Sequence, residues 1–232
     1  MPDLPITNTL PQLLATLQTN ANVVLSASPG AGKTTRVPLE LLTIIPPEAG
    51  RIIMLEPRRI AAASAARYMA RSLGETLGQT VGYTVRFESK VSYATRIEVV
   101  TEGVLTRRIQ NDPELSGVAC VIFDEFHERS IHGDLGLALC LETQAILRPD
   151  LKLLVMSATL DCKSISRLLG DAPILSSEGR VFPVAVRYPA TVSEKQPLAR
   201  RMAAAIKTAL AEEAGDLLAF LPGTGEIRAV ER

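Results

Sequence analysis

The chain has 232 residues, with 25 Lys and Arg against 25 Asp and Glu, and a formal net charge of zero. This balance excludes a protein-wide basic field, so any nucleic-acid binding must depend on local arginine clusters. The three cysteines are far apart and fit a reducing compartment, and no apolar run approaches the ~18 residues of a membrane span. We therefore expect a cytoplasmic protein without a membrane partner or a signal peptide.

Apolar strands and helical patterns alternate along the first three quarters of the chain, after a short amphipathic helix at 10–17. Strands are predicted at 23–27, 52–55, 97–101, 118–124 and 153–157. Helices are predicted between and after them, at 37–45, 60–73, 103–110, 135–147 and 163–169. Because the predicted strands are apolar runs without a polar alternation, both faces of the sheet should be covered. The sequence predicts an α/β fold in which helices cover both faces of a parallel sheet, with ligand sites at the strands' carboxyl ends.

The pattern changes near residue 171, where the alternation gives way to loop residues. Residues 172–173 and 176–179 indicate a loop and a linker. Later predicted elements are an edge strand at 181–188, a helix at 198–213 and a buried strand at 217–221. The sequence therefore predicts one domain over 1–175, followed over 176–232 by a linker and the beginning of a second α/β domain.

A glycine loop joins the first predicted strand to the next helix. Its residues are Ala27, Ser28, Pro29, Gly30, Ala31, Gly32, Lys33, Thr34 and Thr35. Glycines can aim successive N–H groups at an anion, and the helix start adds its positive dipole end. Lys33 would reach the β- and γ-phosphates of a nucleotide, and Thr34 would place its hydroxyl on Mg²⁺. A plain glycine turn is the simpler alternative, and Ala27 stands where the strict pattern has glycine, but Lys-Thr after Gly-x-Gly favours a P-loop.

Two adjacent acids, Asp124 and Glu125, follow the apolar run of the fourth predicted strand. After a P-loop, such a pair predicts that Asp124 holds Mg²⁺ and that Glu125 orients and deprotonates a water. A charged strand end without function is the alternative. His127 lies two positions beyond these acids, so the candidate catalytic residues are Lys33, Asp124, Glu125 and His127.

Residues 124–127 (Asp-Glu-Phe-His) resemble the Asp-Glu-x-His box of the DEAH-box helicases of superfamily 2. Five further segments of the sequence resemble motifs of that family and occur in the same order as in the family. They are residues 56–62, 81–88, 101–107, 157–159 and 217–227. The Phe in the box and the Phe-Leu-Pro-Gly-x-Gly-Glu-Ile segment are most like the bacterial HrpB type. The resemblance implies a RecA-like P-loop domain, the truncated start of a second RecA-like domain, and a longer ATP-dependent helicase of which this chain is an N-terminal piece.

The resemblance also implies roles, cofactors and partners. Arg58, Arg59 and Thr101 would hold the backbone of a single strand, RNA rather than DNA, while Ser157 and Thr159 would couple that strand to the nucleotide. The cofactors would be ATP and Mg²⁺. The family's arginine motif would lie in the remainder of the polypeptide, so this piece alone should be weak or inactive. A nucleotide-gated clamp without strong unwinding remains an alternative, whereas the box and the Ser-Ala-Thr motif disfavour a P-loop kinase or transport ATPase.

Overall fold

The computed structural model describes residues 4–158, 161–177, 179, 183–188 and 196–232. The chain divides into two compact units, residues 1–181 and residues 182–232. Eight strands form an open sheet in the first unit: β1 (Asn22–Ala27), β2 (Arg51–Leu55), β3 (Val81–Val85), β4 (Glu88–Lys90), β5 (Ile97–Val100), β6 (Val118–Phe123), β7 (Lys152–Ser157) and β8 (Ile174–Ser177).

The strand order is β4-β3-β5-β2-β6-β7-β1-β8, and every neighbouring pair is parallel except the antiparallel hairpin of β3 and β4. The predicted parallel α/β fold is therefore confirmed. The assignment of residues 176 and 177 to a linker is wrong, because they end β8, which pairs with β1 in register from Val24↔Ile174 to Ala27↔Ser177. A four-residue edge strand contains too few residues to show a strand period.

Six helices pack on the sheet: α1 (Leu10–Thr19), α2 (Lys33–Leu41), α3 (Arg59–Ser72), α4 (Glu102–Asn111), α5 (Ile131–Ile146) and α6 (Cys162–Leu168). In β2, Ile52 and Met54 face a core that includes α1, α2 and α3, whereas Ile53 and Leu55 face a core that includes α4, α5 and α6. Both faces are thus covered, as predicted, which is why β6, in the middle of the sheet, is apolar at every position. None of the described helices is long and apolar enough to cross a bilayer.

The described part of the second unit holds two helices, α7 (Leu198–Glu212) and α8 (Thr224–Glu231). The predicted helix at 198–213 is confirmed. The predicted strand at 217–221 is wrong, because these residues form no regular structure and Phe220 is 80% exposed. The strand predicted at 181–188 is likewise absent over 183–188, and residues 181 and 182 lie outside the described residues. An apolar run becomes a strand only beside a pairing partner, and the described residues of this unit provide none.

An ion pair between a buried carboxylate and a partly exposed arginine connects α4 to the sheet. Glu98 of β5 accepts hydrogen bonds from both terminal nitrogens of Arg108, at 3.0 and 2.7 Å, and from the Thr84 hydroxyl at 2.7 Å. Burial alone would raise the pKa of Glu98, but the hydrogen bonds and charge of Arg108 lower it below its ordinary value of 4.5. The carboxylate is therefore held charged inside the fold.

We expect Glu98→Gln to lower the free energy of unfolding by about 1.5–3 kcal/mol at neutral pH, because the amide keeps the volume but loses the charge-assisted bonds to Arg108. Because the pKa of Glu98 is lowered on folding, its ionised carboxylate stabilises the parent above pH 4.5, and this stabilisation is lost as the pH falls below that value. The difference in stability between the parent and Glu98→Gln should therefore shrink in acid. Thermal unfolding of the parent and of Glu98→Gln at neutral and acid pH measures this difference. Glu142→Gln, at an exposed position of α5, is the control and should leave the midpoint unchanged.

Candidate functional site

The glycine loop lies between β1 and α2, at the edge where the parallel strands end, which we call the carboxyl edge. Gly30 and Gly32 have φ angles of +77° and +90°, in the left-handed region that other residues disfavour. Within the described residues, the backbone N–H groups of Gly30, Gly32, Lys33 and Thr34 donate no hydrogen bond to the protein. Four free donors at the start of a helix can bind an anion such as a phosphate chain.

The remaining loop residues complete this turn. Ala27 is the last residue of β1 and is buried in the core, so its methyl group packs where the strict pattern has glycine. The Ala31 N–H donates to the Ser28 carbonyl at 3.2 Å and closes the turn around exposed Pro29. Thr35 lies in the first turn of α2. All nine predicted cofactor-binding residues therefore belong to one continuous strand–loop–helix segment.

Two contacts join this loop to the acids at the end of β6. Lys33 is 3% exposed, and its ammonium nitrogen lies 2.9 Å from Glu125 Oε1. The Thr34 hydroxyl donates to Asp124 Oδ2 at 2.5 Å. The structure thus brings together candidate residues that lie about 90 positions apart in sequence.

Asp124 has the donor chemistry of a magnesium ligand. It is 4% exposed, and burial raises the pKa of its carboxyl from 3.8 to about 6; the hydrogen bond from Thr34 opposes this shift and Glu125 adds to it. A divalent cation would favour the charged form. No group of three or more His, Cys, Asp or Glu side chains within the described ranges could hold a metal by itself. Mg²⁺ fits this donor set, since it is usually held by one or two protein oxygens together with phosphates and water.

The segment after β6 turns sharply. Glu125 has φ +48° and ψ +34°, and its N–H is held by Asp124 Oδ1 at 2.9 Å before a 3-10 turn at Phe126–Glu128. In this turn, His127 Nε2 lies 3.4 Å from Glu125 Oε2, and its Nδ1 accepts a hydrogen bond from the Ala158 N–H at 3.3 Å. A non-glycine residue in the left-handed region is strained, and such strain concentrates at functional sites.

His127 therefore links the acids to the end of β7. Ser157, the last residue of β7, is fully buried beside Ala158. Thr159, the other predicted coupling residue, lies outside the described residues. The contact between His127 and Ala158 joins the box to the Ser-Ala-Thr motif in three dimensions.

The predicted nucleic-acid residues also follow strands at the carboxyl edge. Arg58 precedes α3, and its guanidinium donates to Glu128 Oε1 at 2.6 Å. Arg59 donates to the Arg86 carbonyl at 3.1 Å, and Thr101 is the N-cap residue of α4. Because β2 lies between β5 and β6, these residues emerge beside the acids that follow β6.

Sequence reasoning missed an aromatic side chain near these residues. Phe87, in the turn between β3 and β4, is 89% exposed and has φ +69°. The Arg86 guanidinium lies 4.7 Å from the centroid of its ring. An exposed ring with a cation over it could stack on a base. The available signal was a lone Phe flanked by charges, which does not by itself indicate exposure.

Glu56 is a second residue that the sequence did not single out. It directly follows β2, is 5% exposed, and lies next to Asp124 because Leu55 pairs in register with Phe123. Burial raises the pKa of Glu56 from 4.5 to about 8, and the charges of Asp124, Glu125 and Glu128 add to the shift while Arg58 opposes it. This carboxyl is therefore mostly protonated at neutral pH.

We expect Glu56→Gln to stabilise the fold near pH 8 by on the order of 1 kcal/mol, which raises the unfolding midpoint by ~2–4 °C. The folded chain holds the Glu56 proton more tightly than the unfolded chain does, so stability falls as the pH rises from 4.5 to about 8. Gln cannot ionise and avoids that loss. Thermal unfolding near both ends of this range checks the result. A variant less stable than the parent near pH 8 would show that the Glu56 charge is stabilised.

The fold and this site define a class of protein. Residues 7–168 match the DEAD/DEAH box helicase family, and the chain belongs to that family. It is 52% identical over 231 residues to the ATP-dependent RNA helicase HrpB of Escherichia coli (strain K12), a match that covers 100% of this chain and 28% of that protein. The predicted resemblance to DEAH-box helicases of the HrpB type is therefore confirmed.

Other similar proteins are also helicases by name. The chain is 39% identical over 239 residues to the probable ATP-dependent RNA helicase DHX34 of Homo sapiens, with 98% of this chain and 20% of that protein covered. The crystal structure of the Escherichia coli DEAH/RHA helicase HrpB superposes with a TM-score of 0.91 at 52% identity, over 99% of this chain and 29% of that one. The chain thus spans less than a third of the length of these relatives.

Proposed function

We propose that the chain is the ATP-binding N-terminal part of an ATP-dependent RNA helicase that couples Mg-ATP binding and hydrolysis to translocation along, or unwinding of, a strand. One observation carries this proposal: Lys33 and Thr34 of the glycine loop are within bonding distance of Glu125 and Asp124 at the end of β6. Family membership and the names of the relatives support the helicase activity and the choice of RNA.

In this proposal the free N–H groups of the loop and the Lys33 ammonium bind the phosphates. Thr34 and Asp124 would hold Mg²⁺, which supplies positive charge to the phosphate oxygens when bound. In the structure, the Lys33 ammonium is paired with the Glu125 carboxylate. Phosphates compete for Lys33, and its departure frees the Glu125 carboxylate to orient a water and accept its proton.

The nucleic-acid side of the proposal depends on Arg58, Arg59 and Thr101. Arginine side chains suit phosphate oxygens, and backbone contacts carry no base information, so binding should be independent of sequence. Ser157 and Thr159 would relay nucleotide state to this surface, and the His127–Ala158 hydrogen bond supports that route.

The rest of the polypeptide is a further proposed partner. The relatives are more than three times longer, and we propose that the remainder supplies a second RecA-like domain with the arginine that completes the ATP site. Such an arginine contributes about 10³–10⁵ in rate in comparable phosphoryl transfers, so the chain alone should hydrolyse ATP weakly. We also propose a cytoplasmic location, because the three cysteines are far apart and fit a reducing compartment.

ATP hydrolysis by the full-length polypeptide, with and without single-stranded RNA, tests the proposal. We expect RNA to increase the rate and a duplex with a single-stranded tail to be displaced when ATP is added. Stimulation without displacement would favour the nucleotide-gated clamp. Equal stimulation by DNA would contradict the preference for RNA.

A further inference from the structure

Glu102, the first residue of α4, contacts the segment that follows the Asp-Glu-Phe-His box. The Ser130 hydroxyl donates to Glu102 Oε1 at 2.7 Å and accepts a hydrogen bond from the Gly133 N–H at 2.8 Å. Ser130 is also the N-cap of α5. One hydroxyl group therefore joins the start of α4 to the start of α5.

Two glycines bring these helices close together. A Cβ atom at Gly133 would lie 2.9 Å from Glu102 Oε1 and 3.1 Å from the Ser130 hydroxyl. A Cβ atom at Gly136, nearly one turn later, would lie 3.4 Å from Leu105 of α4. Because the packing leaves no room for side chains, the start of α4 cannot shift without moving Ser130.

The contact connects the two sites of the proposed function. On one side, Glu102 immediately follows Thr101, the candidate strand contact. On the other, Ser130 ends the short segment that begins with Glu125, in which Glu125 and Arg129 both have positive φ. Non-glycine residues keep such angles only where the surrounding structure holds them, so this segment is fixed by its neighbours, Glu102 among them. Glu102, Asp124 and Glu125 also line one cavity of about 180 Å³.

We propose that the Glu102–Ser130 hydrogen bond positions Glu125 according to strand binding at Thr101, so that the strand accelerates ATP hydrolysis through this contact. The inference rests on the proposed function and adds a second route beside the His127–Ala158 contact. Glu102 is a positioning residue in this scheme, because it acts on the water-activating carboxylate through Ser130.

Some substitutions should retain the Glu102–Ser130 hydrogen bond, and others should remove it. Glu102→Gln retains an acceptor oxygen for the Ser130 hydroxyl, whereas Glu102→Ala removes it. Ser130→Ala removes the donor and the cap of α5 together. Ser130→Asp keeps a capping oxygen but places a like charge against Glu102. Loss of the cap and loss of the contact can therefore be told apart.

The experiment measures ATP hydrolysis by the full-length polypeptide with and without single-stranded RNA, for each variant. We expect Glu102→Ala, Ser130→Ala and Ser130→Asp to lose at least about fivefold in RNA stimulation, the lower range of typical coupling between sites. Hydrolysis without RNA and the KM for ATP should be unchanged, and Glu102→Gln should behave as the parent. The double variant Glu102→Ala/Ser130→Ala should be no worse than either single variant.

Three results would overturn the inference: full stimulation in Glu102→Ala, additive losses in the double variant, or an equal loss of hydrolysis with and without RNA. The last result would mean that the contact only maintains the fold, which thermal unfolding would also report. A parent protein that RNA does not stimulate would instead contradict the proposed function itself, so the two failures are distinguishable.

Discussion

Replacing Lys33 with Ala should lower the affinity of the chain for MgADP and for a non-hydrolysable ATP analogue by about 100-fold. Lys33 is nearly fully buried, its ammonium contacts Glu125, and its own N–H is one of the free donors of the glycine loop. A hydrogen bond to a charged group contributes about 1.5–3 kcal/mol, so the loss of one such contact to the β-phosphate, which both ligands carry, accounts for a loss of this size. Isothermal titration calorimetry on the chain measures both affinities.

Lys163→Ala is the matched control, because this lysine lies exposed on α6 and its loss should leave both affinities unchanged. Thermal unfolding should show that Lys33→Ala remains folded, since the partly exposed Glu125 side chain can be hydrated once its partner is gone. Equal binding by Lys33→Ala and the parent would contradict a phosphate role for Lys33.

The local part of the site was predictable because its chemistry fixes residue types at short spacing. A loop that cradles phosphates needs glycines at positive φ, as Gly30 and Gly32 have, and a lysine at the helix start. The Asp-Glu pair could be singled out as a candidate in the same way, because it directly follows an apolar strand. The parallel, doubly covered sheet followed from strands without polar alternation, because only burial on both faces permits Ile52–Leu55 to be apolar throughout.

Contacts between residues far apart in the sequence could not be predicted in this way. The hydrogen bond between Thr34 and Asp124 joins the ends of β1 and β6, which β7 separates in the sheet, and no local pattern encodes that order. The burial of Glu56 has the same origin, since an acid directly after a strand is usually solvated. The contact between Glu102 and Ser130 depends on how closely two helices approach at Gly133. Each of these features is a property of packing between distant segments.

In the second unit, local apolar composition predicted a strand that the structure does not contain. Residues 217–221 have a strand's composition, yet Leu218 and Phe220 are exposed and form no ladder. Apolar composition favours a strand only when neighbouring strands accept its backbone hydrogen bonds. The helix α7 formed as predicted because a helix satisfies its hydrogen bonds within itself.

Replacing Glu125 with Gln should slow ATP hydrolysis by about 10²–10⁴-fold while nucleotide binding is retained, because the amide keeps the shape but cannot accept a proton from water. Binding should even tighten, since Gln no longer competes with the phosphates for Lys33 through the 2.9 Å ion pair. Single-turnover hydrolysis by the full-length polypeptide, with and without RNA, together with calorimetry on the chain, measures the two effects separately.

Glu128→Gln is the matched control, three positions along the same segment, where the carboxylate pairs with Arg58 instead of Lys33. This variant should hydrolyse ATP at the parent rate without RNA. If Glu125→Gln also hydrolysed at the parent rate, another group would have to take the proton. If it lost nucleotide affinity, the Lys33–Glu125 pair would be supporting the phosphate site instead of competing with it, and Glu125 would act mainly by positioning Lys33.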